Sequence, residues 1–541
     1  MFRVNAEPMI GVIANPKDHA VVEEFFELFK TPWEFYRRGR EYDVLLCDGD
    51  YQLPGSEVGL VVIYSSQQLT LDGKTQAQSG KDFQYVGARL PIYGSAVTFP
   101  DQAPSLLKAG EAAAAYVVRS GEVVKARIGY DLFPEVRTLL TNGQPAANAG
   151  VPTLDLHIEI LRSLIVSNDI PLVEIPPVPE GHSFIACLTH DVDHPTIRPH
   201  KFDHTMLGFL YRATFGSLMN LMRGRMTIED LFTNWGAALK LPFVHLGMAK
   251  DSWFQFDRYL QLEKGHRSSF FVIPFKDRPG LAEQGSVPKI RACSYTMDGI
   301  AQPLKNLMAG GCEIGLHGID AWKDSVKGTE ELQQIRKFTG EQEIGVRMHW
   351  LYFNKESPMS LEKAGAAYDS TVGYNETIGY RAGTTQTYKP LQVTQLMELP
   401  MHVMDTALFY PSYLNLHPSD AGKQVSGVIN HATRFGGSVT VNWHDRSIFP
   451  ERLWDKFYVD LVSELESKNA WFATALQAVS WFRKRRSAMF EAIHWESDAL
   501  QANIAIEKND NLPSLRLRIH RNTRDYRDIV LDSSINTRIT L

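Results

Sequence analysis

The sequence predicts an α/β protein built from repeated strand–helix units, and two observations carry that prediction. Over residues 183–486, short apolar runs alternate with longer stretches of helical spacing. Four of those runs lead, directly or within a few residues, to ionisable side chains. Alternation of this kind builds a parallel barrel or a doubly wound sheet. Such sheets gather functional groups at the C-terminal ends of their strands, so residues far apart in the chain can meet in space.

Taken in order, residues 10–14, 42–47 and 59–64 are strand-like, while 21–30 and 32–40 have helical spacing, with Pro32 suited to a first turn. They predict an N-terminal α/β domain over residues 1–172, with no phosphate-loop or dinucleotide fingerprint to give it a chemistry. Residues 173–182, VEIPPVPEGH, are proline-rich and read as a linker. In the middle segment, 183–486, strand-like runs fall at 184–188, 269–273, 313–316, 344–346, 396–399, 439–443 and 471–473, with helical stretches at 250–264, 330–338, 360–366 and 451–467. The basic run at 483–486 reads as the solvated end of a last helix, where cations complement the dipole. Residues 487–541 carry strand-like alternation at 515–520 and predict a small β-rich C-terminal segment. An insertion at 200–245 has an apolar stripe at helical spacing, which reads first as core; a lid, a dimer surface and a membrane-surface helix are its other readings.

Composition excludes several classes. With 44% hydrophobic and 22% charged residues, the 541-residue chain is neither disordered, collagenous nor coiled coil. A net charge of −6 does not suit a protein that coats nucleic acid, or an anionic membrane as a whole. Cys47, Cys187, Cys293 and Cys312 have no zinc-knuckle spacing and read as small buried hydrophobes. The first residues lack a signal-peptide pattern, and the apolar stretch 206–222 is interrupted by Arg212. The expectation is a cytoplasmic protein with no transmembrane segment and no nucleic-acid partner.

The sharpest local feature is Thr189-His190-Asp191-Val192-Asp193-His194, directly after the apolar run FIACL. Alternate side chains of a strand share a face, so Asp191 and Asp193 point one way, and His190 and His194 the other. Two carboxylates on one face repel unless a cation or proton shares the site; an Asp-rich turn is the plainer alternative. Downstream, His317 follows EIGL, Arg347 and His349 follow GV, and His444 follows VTVNW. A buried Arg347 requires a carboxylate partner, and Asp191 is a candidate.

These motifs resemble, in order, those of the NodB-type polysaccharide deacetylases, over roughly residues 183–482. Asp191-Val192-Asp193 resembles the first motif, Glu313 to Gly318 the second, Val346 to Trp350 the third and Val441 to Asp445 the last. The resemblance implies a distorted (β/α) barrel of NodB type. It also implies that Asp191 is the general base, Arg347 positions that base, His444 is the general acid, and Asp193 and His317 hold a divalent metal, with zinc the expected ion. Where the family has a second ligand histidine, this chain has Ala321; Asp320 and His349 are the replacements, with Asp320 preferred because it is local to His317. Asp405 falls in a region resembling the family's penultimate motif, where an acid supports the histidine or the arginine; a helix N-cap is its other reading. Trp350, Trp443 and Arg381 are candidate substrate contacts, with core packing or a plain turn as the alternatives.

The activity implied is metal-dependent removal of N-acetyl groups from a saccharide or polysaccharide precursor. Hydrolysis of another non-peptide C–N amide bond is one alternative. A catalytically silent saccharide-binding or scaffold protein is the other, made plausible by Ala321.

Overall fold

The computed structural model describes residues 10–49, 58–78, 82–103, 106–121, 123–496, 499–507, 509–522 and 525–540. The chain forms two compact units. The first comprises residues 1–181, 380–391 and 480–541, and the second residues 182–379 and 392–479.

In the first unit, a six-stranded sheet runs in the order Ala115–Ser120, Val123–Ile128, Leu60–Tyr64, Val44–Asp48, Ile10–Ile13, Trp33–Phe35. All neighbours are parallel except the antiparallel edge strand Ala115–Ser120. Leu60–Tyr64 is buried along its whole length, as expected of a strand covered on both faces. Residues 33–35 form an edge strand rather than the start of a helix, because Trp33 to Phe35 pair in register with Ile10 to Val12. The proline-bearing stretch begins as structure: Leu172–Glu174 is a buried strand, antiparallel to Leu515–Asn522. Nor is the basic run at 483–486 a solvated helix end. Arg485 is buried and donates to the carbonyls of Ile175, Glu27 and Leu28, and Arg486 makes a two-pronged pair with Glu24. The C-terminal residues are β-rich, with Met489–Trp495, Ala499–Ala505 and Ile535–Thr540 forming one antiparallel sheet.

The second unit is built on a parallel sheet in the order Met397–Glu398, Tyr368–Asp369, Gly345–Met348, Glu313–Gly318, Ser268–Val272, Phe184–Val192, Ser438–Asn442, Val403–Met404. A ninth strand, Ala470–Phe472, pairs with the first residues of Phe184–Val192. Among the described residues the two edge strands do not pair with each other, so the sheet stays open where a closed barrel would complete the circle.

Register does the positional work. Val192, Val272, Leu316, Val346, Asp369 and Glu398 form one row of partners across six strands. Side chains alternate along each strand, so residues one step from that row share a face. Asp191, Asp193, His317 and Arg347 are each one step from it. Gly315 lies on the same side, where a Cβ would meet the Phe271 ring at 2.7 Å; glycine lets that ring pack against the strand.

The insertion folds as His204–Tyr211, a π-helical turn Arg212–Gly216, Ser217–Met222 and a longer helix Ile228–His245 opened by a Thr227/Asp230 capping box. Its apolar stripe is not core: side chains along it are exposed. No helix among the described residues is long and apolar enough to cross a membrane. All four cysteines are buried and free.

Candidate metal centre and acid–base site

The strand Phe184–Val192 is buried over all nine residues, and its end carries Asp191, with Asp193 just beyond. Asp191 is fixed on both oxygens. Arg347 Nη1 approaches Oδ1 at 3.2 Å, and Asn442 Nδ2 donates to Oδ2 at 2.7 Å. Burial by itself would raise this carboxyl, but His317, Arg347 and His444 outweigh it and hold Asp191 below the usual carboxylate value. An ionised Asp191 is therefore the stable form.

Arg347 is wholly buried, with every branch of its guanidinium engaged. It donates to Thr189 Oγ1 at 2.7 Å, to the Ser370 carbonyl at 3.0 Å and to Ser370 Oγ at 2.9 Å, and lies over the Phe271 ring at 4.6 Å. A cation so enclosed is stable only with its carboxylate and these acceptors in place.

Asp193, His317 and His349 converge, each offering a ligand atom within 4.8 Å of the others. His317 Nε2 is 3.3 Å and His349 Nε2 3.6 Å from the same oxygen, Asp193 Oδ1. Ligands bound at ~2.1 Å around a tetrahedral ion sit roughly 3.4 Å apart, so these spacings fit a divalent cation. The tautomer agrees. His317 Nδ1 lies 2.9 Å from the Arg347 carbonyl, an acceptor, so Nδ1 carries the proton in the neutral ring and Nε2 presents a lone pair to the carboxylate. Two facing lone-pair donors repel unless a cation lies between them. Asp193 Oδ1 is buried and has no hydrogen bond of acceptable geometry. Burial drives the His349 imidazole down to about 3, which keeps it neutral and able to ligate. Asp193 is held well below the ordinary range, against the effect of burial.

Asp320, preferred for its nearness to His317 in sequence, does not join this group. Its carboxylate accepts the Leu281 backbone N–H at 2.6 Å and pairs with Lys327 at 3.2 Å. The chain turns after Gly318 and carries Asp320 away, whereas His349 enters from the adjacent strand, where His317 and Arg347 are direct partners.

His444 follows the strand Ser438–Asn442. Its Nδ1 is 2.6 Å from Asp405 Oδ1, its backbone N–H donates to Asp405 Oδ2 at 2.7 Å, and its Nε2 lies 3.9 Å from Asp193 Oδ2. Burial works against the charged ring, but Asp405, then Asp193 and Asp191, push His444 up to about 10. The Tyr259 hydroxyl holds the His444 carbonyl at 2.6 Å.

The remaining candidates separate. Trp350 is 37% exposed beside His349, in a left-handed conformation at φ 62°. Trp443 is fully buried and stacks on Phe457, so it is core rather than a sugar platform. Arg381 belongs to the first unit, where its carbonyl accepts the Gln144 N–H. His190 points away from the acids, with Nδ1 against the Trp443 carbonyl and Nε2 2.9 Å from Glu263. Sequence reading missed three supports: Thr189, Ser370 and Asn442. Thr189 and Asn442 carried a signal, each being two residues before a candidate residue of its motif, Asp191 and His444; Ser370 carried none.

No protein-family model matches the chain, and no curated protein does. Solved structures do. Agd3, a novel carbohydrate deacetylase, is 8% identical over 99% of both chains, with a TM-score of 0.37. A probable polysaccharide deacetylase from Pseudomonas aeruginosa PAO1 is 12% identical over 59% of this chain and 97% of its own, at 0.36. The Puue allantoinase is 13% identical over 57% and 93%, at 0.35. Deacetylases of polysaccharides and other carbohydrates thus recur among the solved structures that this chain resembles.

Proposed function

We propose that this protein is a metal-dependent deacetylase that hydrolyses N-acetyl groups on a saccharide, with a NodB-type arrangement of its sheet. One observation carries the reading: His317, its Nδ1 proton committed to the Arg347 carbonyl, turns a bare Nε2 onto Asp193 Oδ1 at 3.3 Å, with His349 Nε2 at 3.6 Å from that oxygen. Asp193, His317 and His349 would hold the ion, zinc being the best fit to one carboxylate and two imidazoles. When bound, it supplies Lewis acidity to an amide carbonyl and lowers the pKa of a nearby water.

The chain's own residues perform the proton transfers. Asp191, kept ionised and aimed by Arg347 and Asn442, accepts a proton from the attacking water as its oxygen bonds to the carbonyl carbon. The C–N bond then breaks. An amine leaves poorly as an anion, so His444 gives its Nε2 proton to the nitrogen, while its Nδ1–H stays on the ring and donates to the Asp405 carboxylate, which stabilises the imidazolium before the transfer. The products are acetate and a free amino sugar. Trp350, exposed next to His349, offers an aromatic face to the sugar ring.

The test pairs metal content with acetate release from N-acetylated oligosaccharides, using protein purified without added metal or chelator. About one divalent ion per chain and acetate formation abolished by chelation are expected. A folded protein that takes up no metal from zinc-supplemented buffer would overturn the reading and favour a silent saccharide-binding role.

A further inference from the structure

Half of the large apolar side chains left exposed among the described residues fall between Phe202 and Met248. They are not scattered. On the first helical segment Leu207, Tyr211, Phe215, Leu218 and Met222 recur every three or four residues. On Ile228–His245 and its C-cap, Ile228, Phe232, Trp235, Leu239, Phe243 and Leu246 do the same, with Leu239 76% exposed. Each is a continuous stripe along one face at the α-helical period. The opposite face of the second helix, with Leu231, Asn234, Leu241 and Val244, is the buried one.

The hairpin is held in place by polar contacts within its unit. Asn234 Nδ2 donates to Ser217 Oγ at 2.8 Å and its Oδ1 accepts the Glu451 N–H, while Arg212 makes a two-pronged pair with Glu451. The exposed stripes are therefore a fixed surface. Isolated exposed apolar residues are ordinary, but a contiguous apolar face rimmed by charge marks an interaction site.

Charge identifies the occupant. Residues 201–250 contain six Lys and Arg against three Asp and Glu in a chain whose total is −6, and with Arg212 neutralised by Glu451 the hairpin keeps five cations against three acids, a net +2. Lys201, Arg223, Lys240 and Lys250 are exposed. Of the three acids, Asp203 and Asp230 serve as helix N-terminal hydrogen-bond acceptors. Bulky aromatic and aliphatic side chains on one face with basic residues at its margins are the pattern of a helix lying in a bilayer interface. A second copy of the chain would set these cations against their own kind, whereas anionic headgroups complement them.

We infer that the helical hairpin 202–248 seats this protein on the surface of an anionic phospholipid bilayer, its two apolar stripes entering the headgroup–acyl boundary. This goes beyond the proposed hydrolysis and does not depend on it. The test is co-sedimentation of the full chain with vesicles of phosphatidylcholine alone and with phosphatidylcholine containing a quarter phosphatidylglycerol, at low and high salt. Binding to the anionic vesicles at least about tenfold stronger than to neutral ones, and weakened by salt, is expected. The double variant Phe232→Ser/Leu239→Ser, with unchanged circular dichroism, should lose binding. Arg223→Glu/Lys240→Glu should lose the anionic preference. Absence of binding to either vesicle overturns the inference. So does a concentration-dependent dimer in sedimentation velocity that Phe232→Ser/Leu239→Ser abolishes while vesicle binding stays negligible; that result assigns the face to a second copy.

Discussion

Asp405 grips His444 at two points: Oδ1 lies 2.6 Å from the ring Nδ1 and Oδ2 accepts the backbone N–H at 2.7 Å. The carboxylate thus sets both the position of the residue and the tautomer of its ring. Asp405→Asn keeps the shape and removes the charge that does most to offset burial of the imidazolium. In the native protein the acid form of His444 persists up to about 10. Losing the raising influence moves the ring's pKa down, so the alkaline limb of kcat against pH should fall at lower pH in the variant, with a lower plateau. An unmoved alkaline limb would separate His444 from that ionisation.

Asp191→Asn retains volume and the contact with Arg347 but cannot accept a proton. Hydrolysis should fall by about a hundredfold or more, the scale of a general base. Metal content should stay near one ion per chain, since Asp193, His317 and His349 are untouched. Loss of the ion instead would make Asp191 a ligand.

The third ligand is tested by a pair of variants. His349→Ala should lower metal occupancy sharply, whereas Asp320→Ala should leave it intact, because the Asp320 carboxylate faces Leu281 N–H and Lys327. Equilibrium dialysis against zinc distinguishes the two directly. The opposite result would restore the local pair His317 and Asp320.

Arg347→Met leaves Asp191 buried without its cation and Thr189 and Ser370 without their donor. Breaking a buried pair in this way costs about 3 kcal/mol or more, which urea denaturation would register. Arg347→Lys should recover only part of it, because one ammonium cannot serve the acceptors that the planar guanidinium reaches.

The two tryptophans should behave in opposite ways. Trp443→Ala empties a packed site against Phe457 and should cost about 3–5 kcal/mol of stability. Trp350→Ala removes a partly exposed ring and should change KM for a saccharide with little loss of stability.

Much of the site was legible before folding because a strand imposes a period of two. Asp191 and Asp193 had to share a face, and His317, Arg347 and His444 were marked by lying at the ends of apolar runs. Trp443 was not legible: an aromatic residue beside His444 reads the same whether it faces a sugar or Phe457. Residues 33–35 misled for a similar reason, since three residues suit either a helix or an edge strand until Ile10 to Val12 supply a partner.

The sequence by itself determined the class of fold, the segments that become the central strands and the order in which acids and histidines meet their ends. These follow from local rules of alternation and burial. Only the tertiary structure decided that His349, not Asp320, stands beside Asp193, that Asn442 supports Asp191, and that the stripes on the 202–248 hairpin face outward. Each of these depends on which chain segments become neighbours across the sheet. His317 and Arg347 are thirty residues apart and Asp191 and Asn442 more than two hundred, and register between strands, which no local pattern encodes, brings them together.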